Sequence, residues 1–94
     1  GDIGSLWENF CMIERIKYNQ AVGRRVNMYF WRTYQQKEID LIEEHEGKLE
    51  AFEFKWSPKA NHKPPAGFLN AYPESNYKVI TRENYREFLV SGDS

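Results

Sequence analysis

The sequence predicts one α/β domain whose elements follow the order helix, three strands, short helix, strand and helix. Three observations predict this class. Apolar residues recur at helical spacing near both ends of the chain, the segments between them are strand-like in composition, and a Glu-Gly pair separates two of those segments. A length of 94 residues allows a single domain over 1–94 with a modest core.

The first helix is predicted over residues 3–19. Its apolar stripe has a spacing of three to four residues, which predicts that this face packs on the core. The stripe consists of Leu6, Phe10, Ile13 and then Ile16 or Lys17. Ser5 is a suitable N-cap, and Glu8 then takes the third helical position, which matches a capping box.

Three strands are predicted next, over residues 26–32, 38–44 and 49–56, and the last two form a hairpin around Glu46 and Gly47. If the turn holds two or four residues, the numbers of paired residues sum to 93. An odd loop length would break this register. Glu46 is the weak point, because glutamate is not preferred in a two-residue turn.

The hairpin register predicts that four polar side chains converge on one face of the sheet. Asp40 is placed opposite Glu53 and Glu38 opposite Lys55, and opposed residues share a face. The other face is predicted to carry the apolar set Ile39, Leu41, Phe52, Phe54 and Trp56.

Two opposed carboxylates repel each other, and the pairing of Asp40 with Glu53 becomes favourable when a divalent cation lies between them. Mg²⁺ prefers carboxylate oxygens and water as ligands. Lys55 on the same face would hold a phosphate or stabilise developing negative charge. The alternative is a solvated acidic hairpin in which Lys55 pairs with Glu38.

The last part of the chain is predicted to hold a loop, a short helix, a strand and a final helix. They cover residues 57–67, 67–72, 77–81 and 82–90 in that order. Cys11, the single cysteine, excludes an internal disulfide and fits a reducing compartment, so we expect a cytoplasmic protein. No apolar run has the roughly 20 residues of a membrane-spanning helix, and no membrane partner is expected.

Charge is unevenly distributed although the net charge is −1. Residues 15–37 hold six basic and no acidic side chains, whereas residues 38–53 hold seven acidic side chains and one lysine. Arg24, Arg25 and Arg32 are candidate contacts to nucleic acid, with aromatic neighbours on the adjoining strand. The alternative is that the basic and acidic blocks pair with each other, Arg32 included.

Several segments together resemble the PD-(D/E)xK nuclease superfamily, which has the restriction-endonuclease-like fold. They are Leu6-Trp7-Glu8-Asn9-Phe10, Tyr29-Phe30-Trp31-Arg32-Thr33, Glu38-Ile39-Asp40-Leu41 and Glu53-Phe54-Lys55-Trp56-Ser57. Within that superfamily the pattern is similar to the C-terminal domain, of unknown function, of predicted prokaryotic AAA-type ATPases. The resemblance covers roughly residues 5–89.

The resemblance implies a mixed four-stranded sheet flanked by helices and a set of catalytic residues. Asp40 and Glu53 would bind Mg²⁺ or Mn²⁺, Lys55 would orient the attacking water, and Glu8 would add a ligand or polar contact. The implied reaction is metal-assisted phosphodiester hydrolysis on DNA or RNA. The implied partner is the ATPase module of a longer parent chain, of which this domain would be the excised C-terminal part.

Two other functions remain open at this point. The domain could be a catalytically inactive accessory module that docks a partner or nucleic acid, or a structural interaction domain. Both predict that Asp40→Ala is tolerated, and the second predicts a slight gain in stability as repulsion from Glu53 is relieved. The chain lacks the Gly-x-x-x-x-Gly-Lys motif, so we do not expect it to hydrolyse ATP itself.

Overall fold

The computed structural model describes residues 2–32, 37–59 and 62–90. Its elements are α1 (Ile3–Ala21), β1 (Asn27–Arg32), β2 (Glu38–His45), β3 (Lys48–Phe54), α2 (Ala66–Ala71), β4 (Asn76–Ile80) and α3 (Tyr85–Val90). The strands form one mixed sheet in the order β1-β2-β3-β4. The predicted α/β class, the order of elements and the mixed four-stranded sheet are confirmed.

The β2–β3 hairpin has the predicted register. Leu41 pairs with Phe52 and His45 with Lys48, so that paired numbers sum to 93 and the turn holds two residues. Both turn residues have left-handed backbone angles, with φ of 53° at Glu46 and 81° at Gly47. Such a turn twists in the same sense as the strands it joins, which explains why a glutamate is accepted there despite its side chain.

A β-bulge interrupts the pairing of β1 with β2. Tyr29 pairs with Ile42 and Trp31 with Ile39, so that one residue of β1 faces two residues of β2, Asp40 and Leu41. A bulge shifts the alternation of side chains by one position. The residues of β2 before the bulge therefore change face relative to the prediction.

Ile39 shows the consequence of the bulge. It was predicted to share a face with Leu41 and Phe52, but it packs in a buried cluster with Ile42, Ala51 and Phe68. The prediction was wrong because strict alternation ignores a bulge, which sequence periodicity does not reveal. Phe68 lies on α2 and is fully buried, so this short helix covers that face of the sheet.

Two compact units make up the described residues. One unit consists of residues 2–25, 54–59 and 80–90, and includes α1 and α3. The other consists of residues 26–32, 37–53 and 62–79, and includes α2 and nearly all of the sheet.

In the first unit, α1 buries a different face from the predicted one. Trp7, Cys11, Arg15 and Asn19 are its buried residues. The predicted stripe is instead exposed, with Leu6 at 61% and Ile13 at 53% of their full accessible area. The spacing of apolar residues did not identify this face because two of its four buried residues, Arg15 and Asn19, are polar.

Hydrogen bonds and ring stacking compensate for burying polar groups on α1. The indole N–H of Trp7 donates to the carbonyl of Ile80 at 3.2 Å. The guanidinium of Arg15 donates to the carbonyl of Phe88, and its Cζ lies 4.4 Å from the centre of the Phe88 ring. A buried polar group that keeps its hydrogen bonds costs little, so α1 can bury an arginine against α3.

The N-cap of α1 also differs from the prediction. Asp2, rather than Ser5, caps the helix, and its carboxylate accepts a hydrogen bond from the backbone N–H of Gly4 at 2.9 Å. The hydroxyl of Ser5 donates to the same carboxylate at 3.1 Å. Glu8 therefore lies well inside the helix and is not a capping-box residue.

Candidate functional site

The hairpin brings Asp40 and Glu53 into contact. The backbone N–H of Asp40 donates to Oε1 of Glu53 at 3.3 Å. Glu53 is buried at 8% of its full accessible area, whereas Asp40 is half-buried. Since Leu41 pairs with Phe52, the next position along the hairpin places Asp40 opposite Glu53. The predicted register is thus observed as far as Leu41 and Phe52, and the next two residues, Asp40 and Glu53, are joined by the hydrogen bond.

The β-bulge lies at Asp40 itself. Bulges re-aim side chains and occur often beside active sites, because the extra residue locally bends the strand. Here the bulge leaves the backbone N–H of Asp40 directed at the Glu53 carboxylate. The local irregularity of β2 thus helps to fix the relative placement of the two acidic residues.

Tyr77 of β4 is a third member of this site. It is half-buried against the cluster that contains Ile39 and Phe68. Burial, and after it the negative charges of Glu53 and Asp40, raise the pKa of Tyr77 from 10.0 to about 12. The phenol is therefore protonated at neutral pH and lies within electrostatic reach of both carboxylates.

Sequence reasoning did not select Tyr77. Its strand was predicted, but alternation along a single strand does not tell which strand lies beside it. The position of Tyr77 follows from β4 being the neighbour of β3 in the sheet. Only a prediction of the strand order combined with a face assignment would have found it.

Glu38 is not aligned with Asp40 as predicted. Its Oε1 lies 2.7 Å from Nη2 of Arg32, its pairing partner on β1. Because the bulge shifts the alternation of side chains along β2, Glu38 does not follow the same alternation as the residues after the bulge. Arg32, a candidate nucleic-acid contact, is thus engaged in an ion pair, as the alternative interpretation of the charge blocks proposed.

Glu8 and Lys55 belong to the first unit. Glu8 is exposed on α1. Lys55 directly follows β3, its side chain is half-buried, and its backbone N–H donates to the carbonyl of Ile80 at 2.9 Å. Their proposed catalytic roles remain predictions.

Arg24 and Arg25 follow α1 in the same unit. Nη1 of Arg24 donates to Oδ1 of Asn19 at 3.2 Å, a hydrogen bond back to the last turn of α1. Arg25 is exposed. Contact of either arginine with nucleic acid remains a prediction.

The oxygen donors of Asp40 and Glu53 are of the type that Mg²⁺ binds. Magnesium commonly uses only one or two protein carboxylates and keeps several water ligands. Within residues 2–32, 37–59 and 62–90, no group of three or more His, Cys, Asp or Glu side chains is arranged to hold a metal ion.

These features define a mixed α/β domain with a pair of opposed carboxylates and a protonated tyrosine on one face of its sheet. The chain belongs to the family described as a domain of unknown function, DUF4143, whose model matches residues 3–92. No curated protein and no solved structure matches the chain. Among the described helices, none is both long and apolar enough to cross a membrane.

Proposed function

We propose that this domain is a nuclease-like module that hydrolyses phosphodiester bonds with the help of Mg²⁺ held by Asp40 and Glu53. The observation that supports the proposal is the hydrogen-bonded placement of these two acidic residues across the hairpin. Burying one carboxylate beside another is unfavourable in a purely structural sheet. A bound cation would offset that cost.

Each residue of the proposed site has a chemical task. Asp40 and Glu53 would hold the metal, and bound Mg²⁺ would polarise the phosphate and lower the pKa of a water molecule. The phenol of Tyr77, protonated at neutral pH, would donate a hydrogen bond to a phosphate oxygen or to Glu53. The resemblance to the nuclease superfamily also implies that Lys55 would stabilise developing negative charge and that Glu8 would add a polar contact.

The resemblance of this chain to the C-terminal domains of AAA-type ATPases leads us to propose an ATPase module as its partner within a longer chain. DNA or RNA would be the substrate. A net charge of −1 gives this domain little electrostatic attraction for a polyanion. Other parts of such a chain would therefore supply much of the nucleic-acid affinity.

A cleavage assay tests the proposal. Labelled single-stranded DNA, duplex DNA and RNA are incubated with the chain and with 5 to 10 mM Mg²⁺ or Mn²⁺, at low salt. We expect cleavage of at least one substrate, lost on addition of a chelator and lowered at least 100-fold in Asp40→Asn and Glu53→Gln. Glu74→Gln, which removes an exposed acidic group in the turn before β4, is the matched control and should cleave normally.

A second function, an inactive accessory module that docks a partner, is favoured by the ion pair of Arg32 with Glu38. This pair engages one of the three arginines that would otherwise contact nucleic acid. The accessory module predicts no cleavage with any metal. If Asp40→Asn then folds normally and binds the partner normally, the result would favour the accessory module.

A further inference from the structure

An open cavity of about 510 Å³ lies on the sheet face that α2 covers, near the hairpin turn. Its aromatic walls include Tyr29, Trp31 and Tyr72, its floor includes Ile42 and Leu49, and Glu44 supplies a carboxylate. Neither Asp40 nor Glu53 lines it, so it is distinct from the proposed metal site. Its size is within the range of ligand-binding clefts.

The walls of the cavity are held in place by Phe68. The Trp31 ring meets the buried Phe68 ring edge-on, with centroids 5.9 Å apart. Tyr72, at the C-terminal end of α2, packs against the same ring, with its centroid 5.4 Å from that of Phe68. Two of the aromatic walls thus share one anchor in the core, which makes the cavity preorganised.

The carboxylate of Glu44 is also positioned. Its Oε1 lies 3.1 Å from Nδ2 of Asn27 and 3.5 Å from the hydroxyl of Tyr29. Both neighbours are on β1, next to the cavity. A carboxylate held beside aromatic rings attracts a cation that can stack on those rings while donating hydrogen bonds.

The charge around the cavity favours a cationic ligand over an anionic one. No basic side chain is found among the described residues that line it. The segment from residue 38 to residue 53, which forms the hairpin, carries seven acidic side chains against one lysine. A second cavity adjoins the first along Tyr72, and its lining includes another acidic residue, Glu74, and Lys48.

We propose that the aromatic cavity binds an arginine side chain presented by an extended, basic segment of a partner protein. A guanidinium is planar, stacks on aromatic faces and donates to a carboxylate in a fork. The chain already uses this chemistry internally, because Cζ of Arg82 lies 5.0 Å from the centre of the Trp56 ring. The adjoining cavity gives the partner segment a path beyond the arginine.

The test uses the chain labelled with ¹⁵N and two small probes, N-acetyl-arginine methylamide and its citrulline analogue. Citrulline has the same shape but no charge. We expect saturable shifts of the Trp31 indole signal and of the Glu44 backbone amide with the arginine probe at millimolar concentration. The Trp31 signal is assigned from Trp31→Phe, and affinity for the citrulline probe should be at least tenfold lower.

Two variants separate a specific site from general attraction to an acidic surface. Glu44→Gln should weaken arginine binding about tenfold, whereas Glu87→Gln, which removes an exposed acidic group on α3, should leave it unchanged. Equal binding of arginine and citrulline would overturn the proposal, as would equal effects of the two variants. Changes in the NMR signals with adenosine monophosphate but not with the arginine probe would overturn the proposal in favour of a nucleotide site.

Discussion

The backbone N–H of Asp40 donates a hydrogen bond to the carboxylate of Glu53, across strands β2 and β3 and at the position of a β-bulge. Because the donor is a backbone group, the bond survives any substitution of the Asp40 side chain other than proline. Substitutions at Asp40 therefore remove a charge without removing the contact. This property makes Asp40 the most informative position for separating metal binding from folding.

The hairpin turn should respond to substitutions that suit its left-handed backbone. Glu46→Asn is expected to raise the free energy of unfolding by about 0.5–1 kcal/mol, because asparagine tolerates positive φ and Asn-Gly is favoured in this turn. Gly47→Ala should lower it by about 1 kcal/mol, because alanine is strained at positive φ. Urea denaturation of both variants measures the two effects. Loss of stability in Glu46→Asn or a gain of stability in Gly47→Ala would contradict the turn conformation.

The ion pair of Arg32 with Glu38 should contribute little to stability. Both side chains are at least half exposed, at 58% and 50% of their full accessible area. Exposed pairs typically contribute less than about 1 kcal/mol. A double-mutant cycle with Arg32→Ala and Glu38→Ala should give a coupling energy below that value, falling further in 1 M KCl. A coupling above about 2 kcal/mol would show that the pair is shielded from solvent.

Tyr77 should make the domain lose stability at alkaline pH. The folded-state pKa is raised from 10.0 to about 12, so the protonated phenol is favoured by folding. This contribution is fully present below pH 10 and is lost as the pH rises from 10 to about 12. The free energy of unfolding should therefore fall more between pH 9 and pH 11 in the wild type than in Tyr77→Phe.

Glu53→Gln provides the control for Tyr77. Burial is the largest cause of the raised pKa, and the charge of Glu53 is the next. Removing that charge should lower the Tyr77 pKa partway towards 10, which absorbance titration of the phenol at alkaline pH would detect. An unchanged titration would place Tyr77 outside the electrostatic reach of Glu53.

The order of elements and the hairpin register could be predicted because they depend on local patterns. A turn of even length fixes which residues of two neighbouring strands face each other, and thus the pairing of Asp40 with Glu53. The bulge at Asp40 could not be predicted, because it arises from the fit of β1 onto β2 rather than from either strand alone. It moved Ile39 to the opposite face and separated Glu38 from the site.

The prediction of the buried face of α1 was wrong for a different reason. Periodicity selected the apolar Leu6 and Ile13, but the helix buries Trp7 and Arg15, whose polar atoms bond to carbonyl groups of residues more than 70 positions away. Such partners are visible only in the folded chain. Tyr77 was missed likewise, because its place beside Glu53 depends on the order of the strands.

The central claim, that Asp40 and Glu53 hold a divalent cation, is tested most directly by thermal unfolding with and without Mg²⁺. A ligand at ten times its dissociation constant stabilises the native state by about 1.4 kcal/mol, which raises the melting temperature of a domain of this size by several degrees. The wild type and Glu74→Ala, which lacks an exposed acidic group, should both show this rise in 10 mM Mg²⁺, and Asp40→Ala should not. No rise in the wild type, or an equal rise in Asp40→Ala, would contradict the metal site.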